Sequence, residues 1–600
     1  MTIDLGPIQT RAAQEIAVGG LRVWYHLPFA LLDDGIDPAR HGWVAEKPKG
    51  TLQQQFYFHP FVSNALWDRA DGGVSALFDL YRKPAFEFRH FTADFDSTDW
   101  KEMQDGKSEQ LLCRRTFRGT VRTVELRRLR EPAGSGRQSG LHGFAMLVVS
   151  VDFLCAAYGE YPRDKVKDPA PFAPLTLADA QDALDLSRRI FPRWHFYGED
   201  ALPGDALTRV PCFGPAPSRP EMDEGVRKGK TQLMPWVREL VAPFTLSEPD
   251  SRHFGDERAF ITSAVLLGDG SEQEAEAFTL MTRVKDSDLM RLAEVDRRGT
   301  GYSYNKPFLD ALAPGYFYTR QAPDGPTGTG NSTLYITASH HFCALGAGGY
   351  MRNVILGNGI PGHHDMGHAE EYYRHMQFLC VFEFFRLLQF SQTLSELVRS
   401  QRERGAIGDK SRTAVADFGQ RLMRIRDEFL DFTHLHHFSN ISSQLQPREM
   451  FDRLYAAFGI PAMFAEVEKE LEAATSFHEM HTNAEAREDA ARLNKLVSVG
   501  VPLSLLVGAG GMNIFIGDKA PFGLHAIVPA LPGQTDAAGP PDGWLQLLQL
   551  SVLVAIIAGI WALAERVYFR DKRSFWGWLA YGAAAAAFAG SEALHLWPAP

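Results

Sequence analysis

Apolar and polar positions follow three different rhythms along this chain. Over roughly the first 330 residues, short runs rich in β-branched and aromatic residues read as strands: 53–62, 111–129, 143–153, 259–267 and 277–284. Stretches dense in Gly, Pro and Asp separate them, at 131–140, 214–221 and 323–330, and one helical pattern covers 176–190. Gly268-Asp269-Gly270 reads as a turn. From about 368 the period lengthens to that of helices. Two of them, 368–404 and 413–438, are expected as a hairpin, the first carrying more apolar residues than one amphipathic stripe needs. From Ile460 onward the pattern predicts one long helix, with no Gly before Gly500 and no Pro between Pro461 and Pro502. Forty residues of it span roughly 60 Å.

The third rhythm belongs to the tail, where charge thins out after about residue 490. Segments 493–513 and 545–564 approach the length that crosses a bilayer, and 575–597 is a third candidate, with Trp576, Trp578 and Trp597 near its ends. Glu592 and His595 leave an interfacial or buried helix open for that third segment. Arg487, Arg492 and Lys495 flank the start of the first span; Arg566, Arg570, Lys572 and Arg573 follow the second. Between them, 514–543 carries Lys519 as its one basic residue. Basic flanks stay on the cytoplasmic side, which places that connection outside and the large N-terminal region inside. The expected fold class is therefore an α+β or α/β cytoplasmic domain, a long stalk helix and C-terminal transmembrane helices. The domains read as 1–335 (α/β-type), 336–459 (helical hairpin region), 460–513 (stalk and first span), 514–543 (external loop), 544–565 (second span) and 574–597 (third segment).

The two spans differ in kind. The second is built of Leu, Ile, Val and Ala and suits lipid. The first contains Gly500, Gly508, Gly510, Gly511, Ser498 and Ser504, small residues that allow helices to approach closely and polar groups that need partners or water. At heptad-like spacing its inward stripe would be Leu493, Val497, Val501, Ser504 and Gly508. A pore and a packed anchor both fit these features.

The end of that span, from Pro502 through Gly508 to Gly511-Met512-Asn513, resembles the close of the first transmembrane helix in CorA-type magnesium and cobalt transporters. The resemblance implies a divalent-cation channel in the cell inner membrane, assembled as a homopentamer, with magnesium and then cobalt as expected ions. It implies a selectivity filter at Gly511, Met512 and Asn513, and a pore lined at Leu493, Val501 and Ser504. The chemistry of the triplet is intelligible alone. Mg²⁺ gives up its water shell reluctantly, and a ring of neutral Asn carboxamides accepts hydrogen bonds from those waters, so Asn513 would hold the hydrated ion without trapping it. Gly511 allows a sharp backbone turn, and Met512 packs the loop. The chain departs from the family at Gly510, where an aromatic residue is common, in the long connection that lacks an acidic cluster, in the third apolar segment and in the large N-terminal region. A zinc, cobalt or nickel transporter on the same scaffold and a membrane-anchored sensor stay open as alternatives.

Charge adds one expectation. Between 461 and 492 there are eight acidic and three basic residues. Stalks that acidic would repel one another unless a divalent ion bridges them, which singles out Glu466, Glu470 and Glu479 as regulatory candidates. Histidines cluster at 340–341, 363–364, 368, 375 and 434–437, with His364 and His368 one helical turn apart. The net charge of −11 excludes a general nucleic-acid binder. Five scattered cysteines suggest neither a disulfide framework nor a thiolate zinc site. The first twenty residues, with Asp4 and Glu15, lack the apolar core of a secretory signal. Without a phosphate loop, nucleophile elbow or zinc-protease helix, the chain does not read as an enzyme, and no cofactor is expected beyond the transported cation.

Overall fold

The computed structural model describes residues 16–31, 37–68, 76–84, 90–102, 108–130, 143–162, 171–190, 233, 235–244, 254–256, 258–298, 306–319, 332–357, 366–406 and 412–511. The expected segments 514–543, 544–565 and 574–597, together with Met512 and Asn513, lie outside them. So do His363, His364 and the turn-rich stretches at 131–140, 214–221 and 323–330. The chain divides into two compact units, Met1–Thr475 and Ser476–Pro600.

The first unit is mixed α+β, built on an 11-stranded sheet. In chain order the strands are β1 (Ala17–Leu31), β2 (Val44–Glu46), β3 (Phe78–Arg82), β4 (His90–Glu102), β5 (Ser108–Leu129) and β6 (Gly143–Pro162). They continue as β7 (Leu175–Thr176), β8 (Phe260–Leu267), β9 (Phe317–Tyr318), β10 (Thr333–Thr337) and β11 (His341–Ala347). The path runs β2-β3-β5-β6-β1-β8-β11-β10-β9, with β4 added to β5 and β7 to β1. Neighbours are antiparallel except β8 and β11, which run parallel. The sheet therefore continues across position 335, through β10 and β11.

β1 lies at the centre and is buried on both faces. Leu21, Val23, Tyr25, Leu27 and Phe29 point to one core, and Trp24 and Ala30 to the other. The first core is covered by α3 (Leu177–Ser187) and, further on, by α5 (Glu274–Thr282) and α6 (Asp286–Glu294), with α4 (Pro235–Val241) at its margin. The second is covered by α1 (Leu52–Tyr57), α2 (Pro60–Leu66) and α8 (Arg374–Ala406). Helix α7 (Lys306–Tyr316) leads into β9. Helices α9 (Arg412–Asp431), α10 (Leu445–Ala457) and α11 (Ile460–Gly511) complete the described chain.

Two expected strands are helices. Positions 53–62 fall in α1 and α2, because Thr51 and Gln54 close a reciprocal cap and Pro60 opens the second helix where its missing N–H costs nothing. Positions 277–284 fall largely in α5, which Gln273 and Glu276 cap in the same reciprocal way. The helix expected at 176–190 is α3, started by the Thr176–Asp179 box. The one expected from 368 opens as a π-helical turn, Ala369–Tyr373, before α8. The one expected over 413–438 divides into α9 and a second π-helical turn, Phe432–His436. α8 and α9 pack through Phe390, whose ring lies edge-on to Phe429 at 5.3 Å.

Just before α8 the backbone crosses itself. Gly357 and Gly367 have φ of 80° and 76°, and a Cβ on Gly367 would stand 2.5 Å from the Ile355 carbonyl oxygen. Gly367→Ala combines left-handed strain with a backbone clash, and we expect it to lower stability by about 3 kcal/mol in urea titrations. A loss under about 1 kcal/mol would mean the crossing relaxes freely.

Charges are buried between the sheet and α8. Glu125, 1% exposed, meets Arg374 at 3.2 Å, Arg82 at 3.3 Å and Arg127 at 3.5 Å. Burial pushes its carboxyl up, but the guanidiniums of Arg374, Arg127 and Arg82 outweigh that and hold it at about 2, below its ordinary 4.5. A depressed carboxylate contributes stability that is complete above pH 4.5 and lost as pH falls toward 2, on the order of 3 kcal/mol here. Glu125→Gln should therefore flatten the acid limb of the stability–pH curve in that window, measured by urea midpoints; an unchanged acid limb would contradict it.

Candidate functional site: the α11 helix and its root

Helix α11 begins within the first unit and has a different environment at each end. Ile460, Val467 and Leu471 are buried among α8 and α9, and the Phe464 ring lies 5.3 Å from that of Phe429. Past Thr475 the helix is polar until Arg492, with Phe477 and Met480 as exposed exceptions. Leu493 and Leu496 are then 63% exposed, and Val497 and Val501 51% exposed. Ser504 is exposed as well, its hydroxyl donating to the Val501 carbonyl at 2.9 Å. Leu493, Val497, Val501, Ser504 and Gly508 share one face, since successive steps of four and three residues return to the same side of a helix. The helix runs on to Gly511, the first residue of the triplet.

This apolar face is left uncovered among the described residues. Among the described residues, no helix is long and apolar enough to cross a membrane.

The three regulatory candidates are not brought together. Glu466 and Glu470 lie one turn apart, and Glu470 accepts a hydrogen bond from Ser391 of α8 at 3.4 Å. Glu479, exposed, is nine residues beyond Glu470, two and a half turns, so it faces the opposite side of the helix. Any ion they share would have to be held between copies.

The histidines have separate tasks. His341 is fully buried, bound to Ser263 Oγ at 2.7 Å and to the Leu292 carbonyl at 2.6 Å, and burial pushes its pKa down to about 3. His340 meets Asp256 at 3.1 Å and stacks on Phe260. His368 lies against Tyr372, and His375 is buried edge-on to Trp67. Burial, then Arg386, lowers His436 to about 4. Among the described residues no three His, Cys, Asp or Glu side chains converge as a metal site.

One histidine sits at the root of α11. His437 Nδ1 is 2.8 Å from Glu383 of α8, and the Tyr455 hydroxyl of α10 lies 3.1 Å from both. The Phe438 backbone N–H donates to the other Glu383 oxygen at 3.0 Å. The His437 ring stacks on Phe464 at 4.7 Å. Glu383 is fully buried, and burial raises its pKa against the pull of these partners. The cluster ties α8, the turn after α9, and α10 to the first turns of α11. Sequence alone singled out neither Glu383 nor Tyr455; the one available signal was a lone acid within the apolar run Phe382–Phe385.

No family model matches the chain, and no curated protein or solved structure resembles it significantly.

Proposed function

We propose that this chain is one subunit of a homo-oligomeric divalent-cation channel of the CorA type, carrying Mg²⁺ across the cell membrane with its N-terminal region in the cytoplasm. The observation that carries the reading is α11. A single helix that begins in the folded N-terminal unit is described as far as Gly511, the first residue of a Gly-Met-Asn triplet, and its Leu493–Val497–Val501–Ser504 face is exposed among the described residues. Several copies meeting along that face enclose an aperture, and the Asn513 carboxamides at its mouth accept hydrogen bonds from a hydrated dication. Apolar rings at Leu493 and Val501 would gate it by dewetting. The Glu383–His437–Tyr455 cluster would anchor the first turns of α11 in each subunit's folded unit.

The test is Mg²⁺ uptake into proteoliposomes with an internal fluorescent indicator, with Co²⁺ and Zn²⁺ as competitors. Uptake driven by gradient and membrane potential is expected; an impermeable, monomeric protein would remove the reading.

A further inference from the structure

Two carboxylates are buried to the same degree in this unit and sit in opposite company. Glu125, 1% exposed, is met by three guanidiniums. Glu383, 0% exposed, has His437 as its one ion-pair partner among the described residues, at 2.8 Å. Its other bonds come from neutral donors, the Tyr455 hydroxyl on Oε2 and the Phe438 N–H on Oε1. An anion in such surroundings is costly unless the imidazole beside it carries the balancing charge.

The remaining groups around Glu383 leave that role to His437. On α8, Cys380 lies one turn before it, its thiol pushed up by burial and then by Glu383, and Arg386 follows it, donating to Gln389 at 2.9 Å. In the turn after α9, burial and then Arg386 hold His436 down to about 4. α10 contributes the Tyr455 hydroxyl, which lies 3.1 Å from His437 Nδ1 as well, and α11 contributes the apolar ring of Phe464, stacked on His437. One proton between Glu383 Oε2 and His437 Nδ1, whichever atom carries it, keeps the pair neutral overall. Withdrawing it leaves a buried negative charge. The contact that can yield lies at the edge, where the His437 side chain is 23% exposed. Turning it outward lets water reach the carboxylate and gives up the stack on Phe464.

We propose that the Glu383–His437 pair is a proton-controlled latch on the root of α11, closed while the shared proton is present and loosened when it is lost. The latch concerns how α11 is held, so it stands or falls apart from what α11 conducts. Burial raises the Glu383 carboxyl above its ordinary 4.5, so the protonated form favours the folded root. That contribution is complete below pH 4.5 and is lost as pH rises through the folded value.

The test is hydrogen exchange of the full-length protein in detergent, followed by mass spectrometry from about pH 5 to about pH 8 and corrected for the intrinsic rate. Protection over residues 460–471 should fall as pH rises, by up to about 10-fold per unit, while that of β6 stays constant. Glu125 does not titrate in this range, because its guanidiniums hold it at about 2. Glu383→Gln keeps a carbonyl acceptor for Phe438 and an amide donor for His437, so it mimics the closed latch, and its protection should stay high at every pH. Should that protein fail to fold, Tyr455→Phe reports instead. It removes a hydrogen bond that favours the ionised carboxylate, so the fall should continue to higher pH. Protection of 460–471 that is flat with pH in the unsubstituted protein, that falls equally in Glu383→Gln, or that keeps its profile in Tyr455→Phe overturns the proposal.

Discussion

Replacing Asn513 with Ala is expected to cut Mg²⁺ flux by roughly 100-fold or more while leaving assembly intact. In the proposed channel each subunit would contribute one carboxamide, and each hydrogen bond to the ion's water shell is worth about 1 kcal/mol, so the substitution would remove the contact from every subunit at once. A methyl ring offers no acceptor, and the hydrated ion would face an apolar mouth that disfavours its entry. Asn513→Asp separates two roles of the side chain. It keeps an acceptor but adds a charge per subunit, which should tighten ion binding and slow release, seen as reduced flux with a lower half-saturating Mg²⁺ concentration. The measurement is initial uptake rate in proteoliposomes, with oligomeric size checked by light scattering. Uptake by the Asn513→Ala protein at the wild-type rate would dissociate the triplet from the permeation path.

The second large effect concerns stability. Asp182 on α3 is 0% exposed and pairs with Arg298 and Arg115, each at 2.5 Å, while the Arg298 backbone N–H donates to its other oxygen at 3.0 Å. Asp179, one turn earlier, shares Arg298. Removing Asp182 takes a buried carboxylate away from Arg298 and Arg115, and breaking such a pair from one side costs about 3–5 kcal/mol. Asp182→Ala should show that loss in urea titrations of the detergent-solubilised protein. Asp182→Leu combined with Arg115→Met should recover much of it, because a well-packed apolar pair avoids the cost of desolvating two ions. If the single substitution loses less than about 1 kcal/mol, water reaches the pair and its burial is only apparent.

How far the residues spoke for themselves depended on where their partners lie. The regular runs at 111–129 and 143–153 stand within β5 and β6, which pair with each other and carry strand character along their own length. The aromatic run around Gln53 invites a strand, yet Thr51, Gln54 and Pro60 settle it locally as helices, so that answer was present in the capping residues. β1 offered little. Gly19, Gly20 and Pro28 interrupt it, and Arg22 and His26 sit where a core strand would show apolar residues. Its polar positions make sense only with Asp152 and Thr262 in place, far away in sequence. The Glu383 cluster was illegible for the same reason, its partners lying 54 and 72 residues downstream. For α11 the situation is reversed. Its pattern is local and readable, whereas Met512 and Asn513, which would do the filtering, fall outside the described residues.

The position of β1 has a consequence for how the protein is made. Trp24 pairs with Thr262, 238 residues downstream, and Thr262 in turn pairs with Phe342. A ribosome adding about 5–20 residues per second must work for roughly 10–50 seconds before the middle strand acquires its second neighbour. Throughout that interval a long, mainly apolar segment is an open edge, and the late closure of distant pairings makes the unit a slow folder. Newborn chains should therefore depend on a holdase, and the window of greatest danger closes only once the eighth strand has left the exit tunnel.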